Sequence, residues 1–181
     1  FNHEFRKINS VNKISMSSHL LGIAPAPPKF IKTFDQTDSI PAASISINEF
    51  FISNLGLELL SGSDFSDNQF ENLERIIVNE EFMKNLYAKD SIAAREQSFV
   101  MEDGRVVRIG GILKNFNYTT LKTPIENFFF EYNPEKFKYA NLKLVSSDIA
   151  GDLALMEIAW KKIGGEREIL KRQKRSDSKI T

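Results

Sequence analysis

The spacing of apolar residues at the start of the chain predicts a short helix followed by two strands. Three apolar residues among the first eight are separated by four and three positions, as on one face of a helix. Residues 11–17 alternate loosely between polar and apolar, and residues 44–47 repeat that pattern, which is typical of strands. The proline-rich stretch at residues 24–28 predicts an extended loop, because proline lacks an N–H donor.

The middle of the chain predicts two helices around a buried strand. Asn48 is a candidate N-cap for a short helix that ends near Gly56. Residues 75–78 are almost entirely apolar and short, which favours a buried strand. Asn79 directly follows that strand and is a candidate cap for the next helix.

The clearest local signal is a β-hairpin between residues 98–101 and 106–113. The dipeptide Asp103-Gly104 lies between these two extended runs, and Asp-Gly favours a tight turn between strands. Residues 128–132 and 140–145 predict two further strands.

The most regular apolar stripe follows Asp148, a candidate N-cap. Its members recur at helical spacing: Ile149, Leu153, Met156, Trp160 and Ile163. Two glycines at 164 and 165 predict the end of this helix. The order of helices and strands indicates a mixed α+β fold.

Composition and charge narrow the classes of function. Lys+Arg and Asp+Glu both total 24, and this balance argues against nucleic acid as a partner, which would favour a large basic excess. Cysteine is absent, which excludes disulfides and thiol catalysis within these residues. A membrane span needs roughly 20 consecutive apolar residues, and no stretch approaches that length.

The two ends of the chain suggest a fragment of a longer protein. The sequence starts inside a predicted helix without an initiator methionine or a signal peptide, so we expect any membrane anchor to lie outside it. Residues 164–181 form a polar basic tail with few apolar residues, for which we expect frayed or disordered chain or a displaced segment.

No recognised catalytic or metal-binding motif is present. The two histidines, His3 and His19, stand alone in the sequence. The acidic stretch at residues 64–71 fails the calcium-binding EF-hand pattern, because it lacks the required glycine and the bidentate glutamate. Glu80 and Glu81 fall in the first turn of a predicted helix, where the helix dipole favours negative charge. We therefore predict no catalytic residue, no metal and no cofactor.

Three segments together resemble the MacB-like periplasmic core domain. Residues 47–65 carry a Phe-Phe pair, a Leu-Gly pair and then Gly-Ser-Asp-Phe, residues 76–80 read Ile-Ile-Val-Asn-Glu, and residues 109–116 read Ile-Gly-Gly-Ile-Leu-Lys-Asn-Phe. The resemblance extends from about residue 8 to residue 163 and is strongest to permeases of Bacteroidetes-type bacteria. Ser63 and Asn115 depart from the family pattern, which has Arg and Asp at these places.

The resemblance implies an α+β fold with two lobes. Residues 1–61 and 125–163 would form a βαβ-type lobe near the membrane, and residues 62–124 would form a smaller β-rich lobe inserted into it.

The resemblance also implies a function at the periplasmic face of the bacterial inner membrane. Domains of this kind belong to ABC transporter permeases of the MacB, FtsX and LolE type. Implied partners are the membrane-embedded remainder of the permease, a separate cytoplasmic ATPase subunit, and periplasmic or outer-membrane proteins or lipoprotein cargo. A dimer is implied for the full transporter. The domain itself would be non-catalytic and would transmit motion.

Phe65, Phe116 and Tyr118 are the candidate residues for contact with cargo or a partner, since they would lie near the surface between the predicted lobes. Two alternatives remain open at this point. One is a free-standing secreted or periplasmic binding or adhesion module. The other is an enzyme with an unrecognised site, for which the acidic stretch at 64–71 and the pair Glu80 and Glu81 are the candidates.

Overall fold

The structure, a computed structural model, describes residues 2–23, 26–34, 39–89, 98–118 and 124–164. The predicted basic tail therefore lies almost wholly outside the described residues. Helices and strands are mixed along the chain, which confirms the α+β class.

The helices are α1 (Asn2–Phe5), α2 (Phe51–Leu55), α3 (Gln69–Leu73), α4 (Glu80–Lys89) and α5 (Ile149–Lys162). The strands are β1 (Val11–Ser17), β2 (Pro28–Thr33), β3 (Ser39–Ser46), β4 (Leu59–Gly62), β5 (Arg75–Asn79), β6 (Ser98–Val100), β7 (Val106–Leu113), β8 (Phe128–Glu131) and β9 (Tyr139–Leu144).

Six strands form a closed ring. The hydrogen-bonded order is β4-β7-β5-β8-β3-β2-β6, and β6 pairs with β7 as well as with β2. The pairing Thr33↔Phe99 joins β2 to β6, and Phe99↔Val107 joins β6 to β7. The ring contains two parallel pairings, β3 with β8 and β5 with β7, and the remaining ones are antiparallel. Strand β4 is added to β7 outside the ring, and β1 pairs with β9 in a separate sheet.

The inside of the ring is a hydrophobic core to which every one of its six strands contributes. We call this cluster the inner core. Its buried members are Ile31, Ile40, Ala42, Ile76, Val78, Phe82, Met83, Leu86, Phe99, Met101, Val107 and Phe129. Three of these side chains come from α4, which begins directly after β5 and therefore covers one end of the ring.

A second apolar cluster, the outer core, covers the opposite face of β3, β5, β7 and β8. The alternation of side chains along each strand sends neighbouring residues to the two cores, as Phe129 and Phe130 show. The buried members are Ala26, Ile45, Ile47, Phe51, Ile52, Phe65, Ile77, Leu113, Tyr118, Phe128, Phe130 and Tyr132.

The contacts between residues divide the chain into two compact units. Lys13–Lys143 form the larger unit, which contains both cores. In the smaller unit, formed by Phe1–Asn12 with Leu144–Thr181, helix α1 packs on α5. There the rings of Phe5 and Trp160 lie edge to face with centroids 6.3 Å apart.

Strands from both of the predicted lobes share the seven-stranded sheet. Strands β3 and β8 fall in the segments predicted for the membrane-proximal lobe, whereas β5, β6 and β7 fall in the predicted inserted lobe. The division at residues 61/62 and 124/125 stays a prediction.

Most predicted elements are present, with some differences at their ends. Strands β2 and β4 and helix α3 were not predicted. Asn48 does not cap α2, because its side-chain Oδ1 accepts a hydrogen bond from the backbone N–H of Met16 at 2.9 Å. Asp148 does cap α5, accepting from the N–H of Gly151 at 3.0 Å. None of the described helices is long and apolar enough to cross a membrane.

The close pairing of β4 with β7 requires glycine at position 62. Gly62 has a φ of +75°, and an added Cβ would fall on the carbonyl oxygen of Gly110 and 2.7 Å from the Cα of Gly111. Gly56 has a similar φ of +67°, but no atom lies within 4 Å of the position that its Cβ would take.

We predict that Gly62→Ala destabilises the protein by about 2 kcal/mol more than Gly56→Ala. Both variants suffer the backbone strain of a positive φ, about 1 kcal/mol, and only the first adds a clash with backbone. Urea unfolding followed by circular dichroism measures the difference. Equal losses in the two variants would show that β4 and β7 are not tightly packed at Gly62.

Candidate functional site

The three aromatic residues predicted to contact a partner lie in or against the outer core. Phe65 and Tyr118 are buried, and Phe116 is partly buried. The ring centroids of Tyr118 and Phe128 are 4.5 Å apart, and Phe116 stacks on Phe130 at 5.9 Å. The role of these three residues as a contact surface stays a prediction.

The segments that carry the family resemblance meet one another in the structure. Gly62 of the first segment pairs with Gly111 of the third, and the second segment pairs with the third along β5 and β7. Asn79 then ties the second segment to the start of β8. Its Oδ1 accepts from the N–H groups of Phe82 and Phe128, both at 3.0 Å, and its Nδ2 donates to the carbonyl of Glu126 at 2.9 Å. The signature residues therefore maintain the fold.

Both departures from the family pattern have local explanations. The Oδ1 of Asn115 accepts from the N–H of Glu81 at 3.2 Å, while the Glu80 carboxylate accepts from the N–H of Asn115 at 2.8 Å. An amide at position 115 makes this contact without placing a second carboxylate beside Glu80. Near Ser63, a guanidinium is supplied by Arg75, whose Nη2 donates to the Ser63 Oγ at 2.7 Å.

The acidic stretch at residues 64–71 is used in local structure. Asn68 caps α3 by accepting from the N–H of Glu71, and buried Asn72 exchanges two hydrogen bonds with the backbone of Ser66. Asp64 is partly buried, and its Oδ1 accepts from the N–H of Phe65 at 2.7 Å. Burial raises the pKa of Asp64 to about 6, against the opposing effects of the Phe65 N–H and the Arg75 charge.

The most concentrated group of charges in the described part of the chain surrounds Glu131. This side chain is 1% exposed and alternates with Phe129 along β8, so it points into the ring. Its Oε2 accepts from Arg105 Nη2 at 2.7 Å. Its Oε1 accepts from Lys29, from Lys136 Nζ at 3.1 Å and from Ser46 Oγ at 3.1 Å. We call these five residues, Lys29, Ser46, Arg105, Glu131 and Lys136, the Glu131 cluster.

The Glu131 cluster covers the end of the ring opposite α4. The antiparallel register pairs Ile76 with Glu131 and Val78 with Phe129, so Glu131 lies near the start of β5 and α4 follows its end. Burial by itself would raise the pKa of Glu131, but the hydrogen bond and charge of Lys29, joined by those of Lys136, lower the pKa to about 2. The carboxylate is thus ionised at neutral pH.

A cleft of about 220 Å³ opens beside this cluster. It lies beside the part of β2 that precedes Lys32, where β2 still pairs with β3 but its pairing with β6 has ended. Glu102 caps the exposed backbone at that point, since its Oε1 accepts from the N–H of Phe30 at 3.1 Å. The residues that line the cleft are Lys29, Phe30, Met101, Glu102, Asp103 and Lys136.

The histidines and the other carboxylates that the structure describes are not members of the Glu131 cluster. Among the described residues, no group of three or more His, Asp and Glu side chains is arranged to hold a metal ion. His3 is exposed. His19 contacts Ser18 through its Nδ1, at 3.0 Å from Oγ, and burial followed by the charges of Lys138 and Lys29 lowers its pKa.

Sequence reasoning did not find the Glu131 cluster. Its members are distributed over β2, β3, β8, the loop before β7 and the turn after β8. One signal was available in the sequence. Glu131 follows Phe128-Phe-Phe130 in a strand with no turn residue between them, and a carboxylate that continues a fully buried strand needs a partner.

Comparison with known proteins identifies the fold. No protein-family model matches the chain, and no curated protein is significantly similar to it in sequence. Solved structures do match. The periplasmic region of MacB from Actinobacillus actinomycetemcomitans has a TM-score of 0.60 and 11% identity, covering 91% of this chain and 75% of that one.

Two further structures agree with this match. The extracellular domain of the ABC-type transporter YknZ from Gram-positive bacteria gives a TM-score of 0.62 at 12% identity, over 91% of this chain and 82% of that one. A domain of a protein described as a permease from Porphyromonas gingivalis gives a TM-score of 0.60 at 15% identity. The match covers 89% of this chain and 74% of that one. The chain has the fold of the MacB-like periplasmic domain, which confirms the resemblance at the level of the fold.

We predict that Glu131→Gln destabilises the protein by about 3 kcal/mol at pH 7, because it removes the buried anion that three partly buried cations share. The wild-type contribution is fully present above pH 4.5 and is lost as the pH falls towards about 2, since folding lowers the pKa of Glu131. The variant should lack this part of the acid sensitivity. Urea unfolding between pH 2 and pH 7 measures both effects.

The matched control is Glu58→Gln, which breaks an exposed ion pair with Lys114 at 2.9 Å. Exposed pairs contribute about 0 to 1 kcal/mol, so this variant should be close to wild type. A loss in Glu131→Gln no larger than in the control would contradict a structural role for the cluster.

Asp64→Asn should raise the free energy of unfolding, whereas Glu131→Gln lowers it. Folding raises the pKa of Asp64, so its ionisation destabilises the folded state as the pH rises from about 4 through 6. We expect the variant to be more stable than wild type by about 1 to 2 kcal/mol at pH 7 and equal to it at pH 3.5. Asp67→Asn, an exposed neighbour, serves as the control in the same unfolding series.

Proposed function

We propose that this chain is the extracytoplasmic domain of an ABC transporter permease at the periplasmic face of a bacterial inner membrane. The observation that supports the proposal is the fold it shares, over about nine-tenths of its length, with extracytoplasmic domains of MacB and YknZ. The anchor would be supplied by transmembrane helices outside residues 1–181.

In this proposal the domain is non-catalytic and works with partners. A cytoplasmic ATPase subunit hydrolyses ATP, and the membrane-embedded part of the permease carries the resulting motion to the domain. The domain then moves or binds cargo or partner proteins of the envelope, such as lipoproteins. A dimer of the full transporter would place two copies of the domain side by side.

Phe116 is the candidate for direct contact among the three predicted aromatic residues, because part of its ring reaches the surface. Phe65 and Tyr118 would support that contact from the outer core, where they are 4% and 6% exposed. Phe30 on β2 and Phe34, directly after that strand, offer a second contact surface, since both are more than half exposed.

Cysteine labelling in the complete gene product tests the location. The chain contains no cysteine, so a single introduced thiol reports on this domain once any cysteines elsewhere in the gene product are replaced. We expect Ser147→Cys, at an exposed position, to react with a membrane-impermeant maleimide in intact cells whose outer membrane has been permeabilised. Ala42→Cys, buried in the inner core, should react only after unfolding.

The same experiment separates the alternatives. Labelled protein that stays with the membrane fraction after washing at high pH supports the permease domain. Labelled protein that is released into the soluble fraction would indicate a free-standing secreted module. Reaction of Ser147→Cys only after cell lysis would contradict an extracytoplasmic location.

A further inference from the structure

Where the cleft meets the Glu131 cluster, the hydrogen-bond donors outnumber the acceptors that the Glu131 carboxylate offers them. Lys29 and Lys136 both donate to the same oxygen, Oε1 of Glu131. Each ammonium group carries three N–H donors, and in the described structure one from each is engaged with that carboxylate. Ser46 also donates to this oxygen, and Arg105 occupies the other one. Both oxygens of Glu131 are therefore engaged, and they cannot accept the remaining N–H donors of the two ammonium groups.

The ion-paired residues beside the cleft contain more cations than carboxylates. Lys29, Arg105 and Lys136 are three cations, and they are paired with two carboxylates, Glu131 and Asp103. Asp103 is engaged by the Nε of Arg105 at 2.9 Å. The ion-paired group thus carries one net positive charge. Glu102 also lines the cleft and brings the summed charge of cluster and cleft to zero, but no ion pair joins it to these cations in the described structure: its Oε1 accepts from the N–H of Phe30.

The position of the two ammonium groups makes the surplus charge accessible. The side chain of Lys136 is 42% exposed and that of Lys29 is 17% exposed, and both line the cleft. Phe30 and Met101 line the cleft as well, so apolar residues adjoin the two lysines. A volume of about 220 Å³ has room for one compact charged group, and the rest of a larger ligand would have to stay outside the cleft.

We propose that this cleft binds a single anionic group, a carboxylate or a phosphate, between Lys29 and Lys136. The anion accepts the spare N–H donors of the two ammonium groups and neutralises the surplus charge. Charge-assisted hydrogen bonds of this kind are stronger than neutral ones, particularly at a partly buried position. This inference depends only on the geometry of the cleft and is independent of the proposed transport function.

Titration of the ¹⁵N-labelled chain with two probes, inorganic phosphate and acetate, tests the proposal. Ionic strength is held constant with sodium chloride. We expect saturable shifts of the amide signals of Lys29, Glu102 and Lys136 with at least one probe. Saturation with phosphate alone would identify a phosphate ligand, whereas saturation with acetate too would indicate a carboxylate, as on an acidic peptide.

Lys136→Met should weaken the binding of either probe at least tenfold. This variant should fold, because Glu131 retains Lys29, Ser46 and Arg105 as donors. The matched control is Lys32→Met, which removes an exposed lysine from the outward face of β2 and should leave binding unchanged.

Three outcomes would overturn the proposal. The first is a response to phosphate and acetate that does not saturate, or that chloride alone reproduces. The second is equal weakening of binding in Lys136→Met and Lys32→Met. The third is a saturable response confined to residues away from the cleft. The shifts in the wild-type chain decide the first and third outcomes without any variant.

Discussion

A sheet that closes on itself leaves two open ends, and each end must be covered without leaving charges or apolar surface unsatisfied. In this protein the two ends have different chemistry. Helix α4 covers one with Phe82, Met83 and Leu86, so that end is part of the inner core. The other end holds the carboxylate of Glu131, whose burial is compensated by donors from several separate parts of the chain. The hydrophobic interior between them depends on both closures.

The three segments that carry the family resemblance explain how a closed ring can form from short strands. Glycines at positions 62 and 111 allow β4 to lie close against β7, and the irregular register of β5 and β7 falls near the same place. Asn79 then satisfies the backbone at the start of both α4 and β8. A family pattern made of such residues identifies an architecture. It specifies no chemistry by itself, because its polar residue Asn79 is fully engaged in hydrogen bonds with the backbone.

The sequence predicts the local elements better than it predicts the site. The hairpin around Gly104 and the capped helix α5 depend on neighbouring residues, so spacing and turn chemistry reveal them. Strand β2 was not predicted because it begins at a proline and its two lysines, three positions apart, interrupt the alternation that is typical of a strand. The Glu131 cluster depends on contacts such as that between Lys29 and Glu131, which are separated by 102 positions. No local pattern contains that information.

Closure of the ring through β6 also has a consequence for the order of folding. The hairpins β2–β3 and β6–β7 connect strands that are near in sequence, and they can form early. The pairing of Thr33 with Phe99 must instead bring distant parts of the chain together, at a larger cost in loop entropy. We expect this pairing to form late. Until then Ile31 and Phe99, both fully buried in the finished ring, face water, and during that interval the nascent chain is most exposed to self-association.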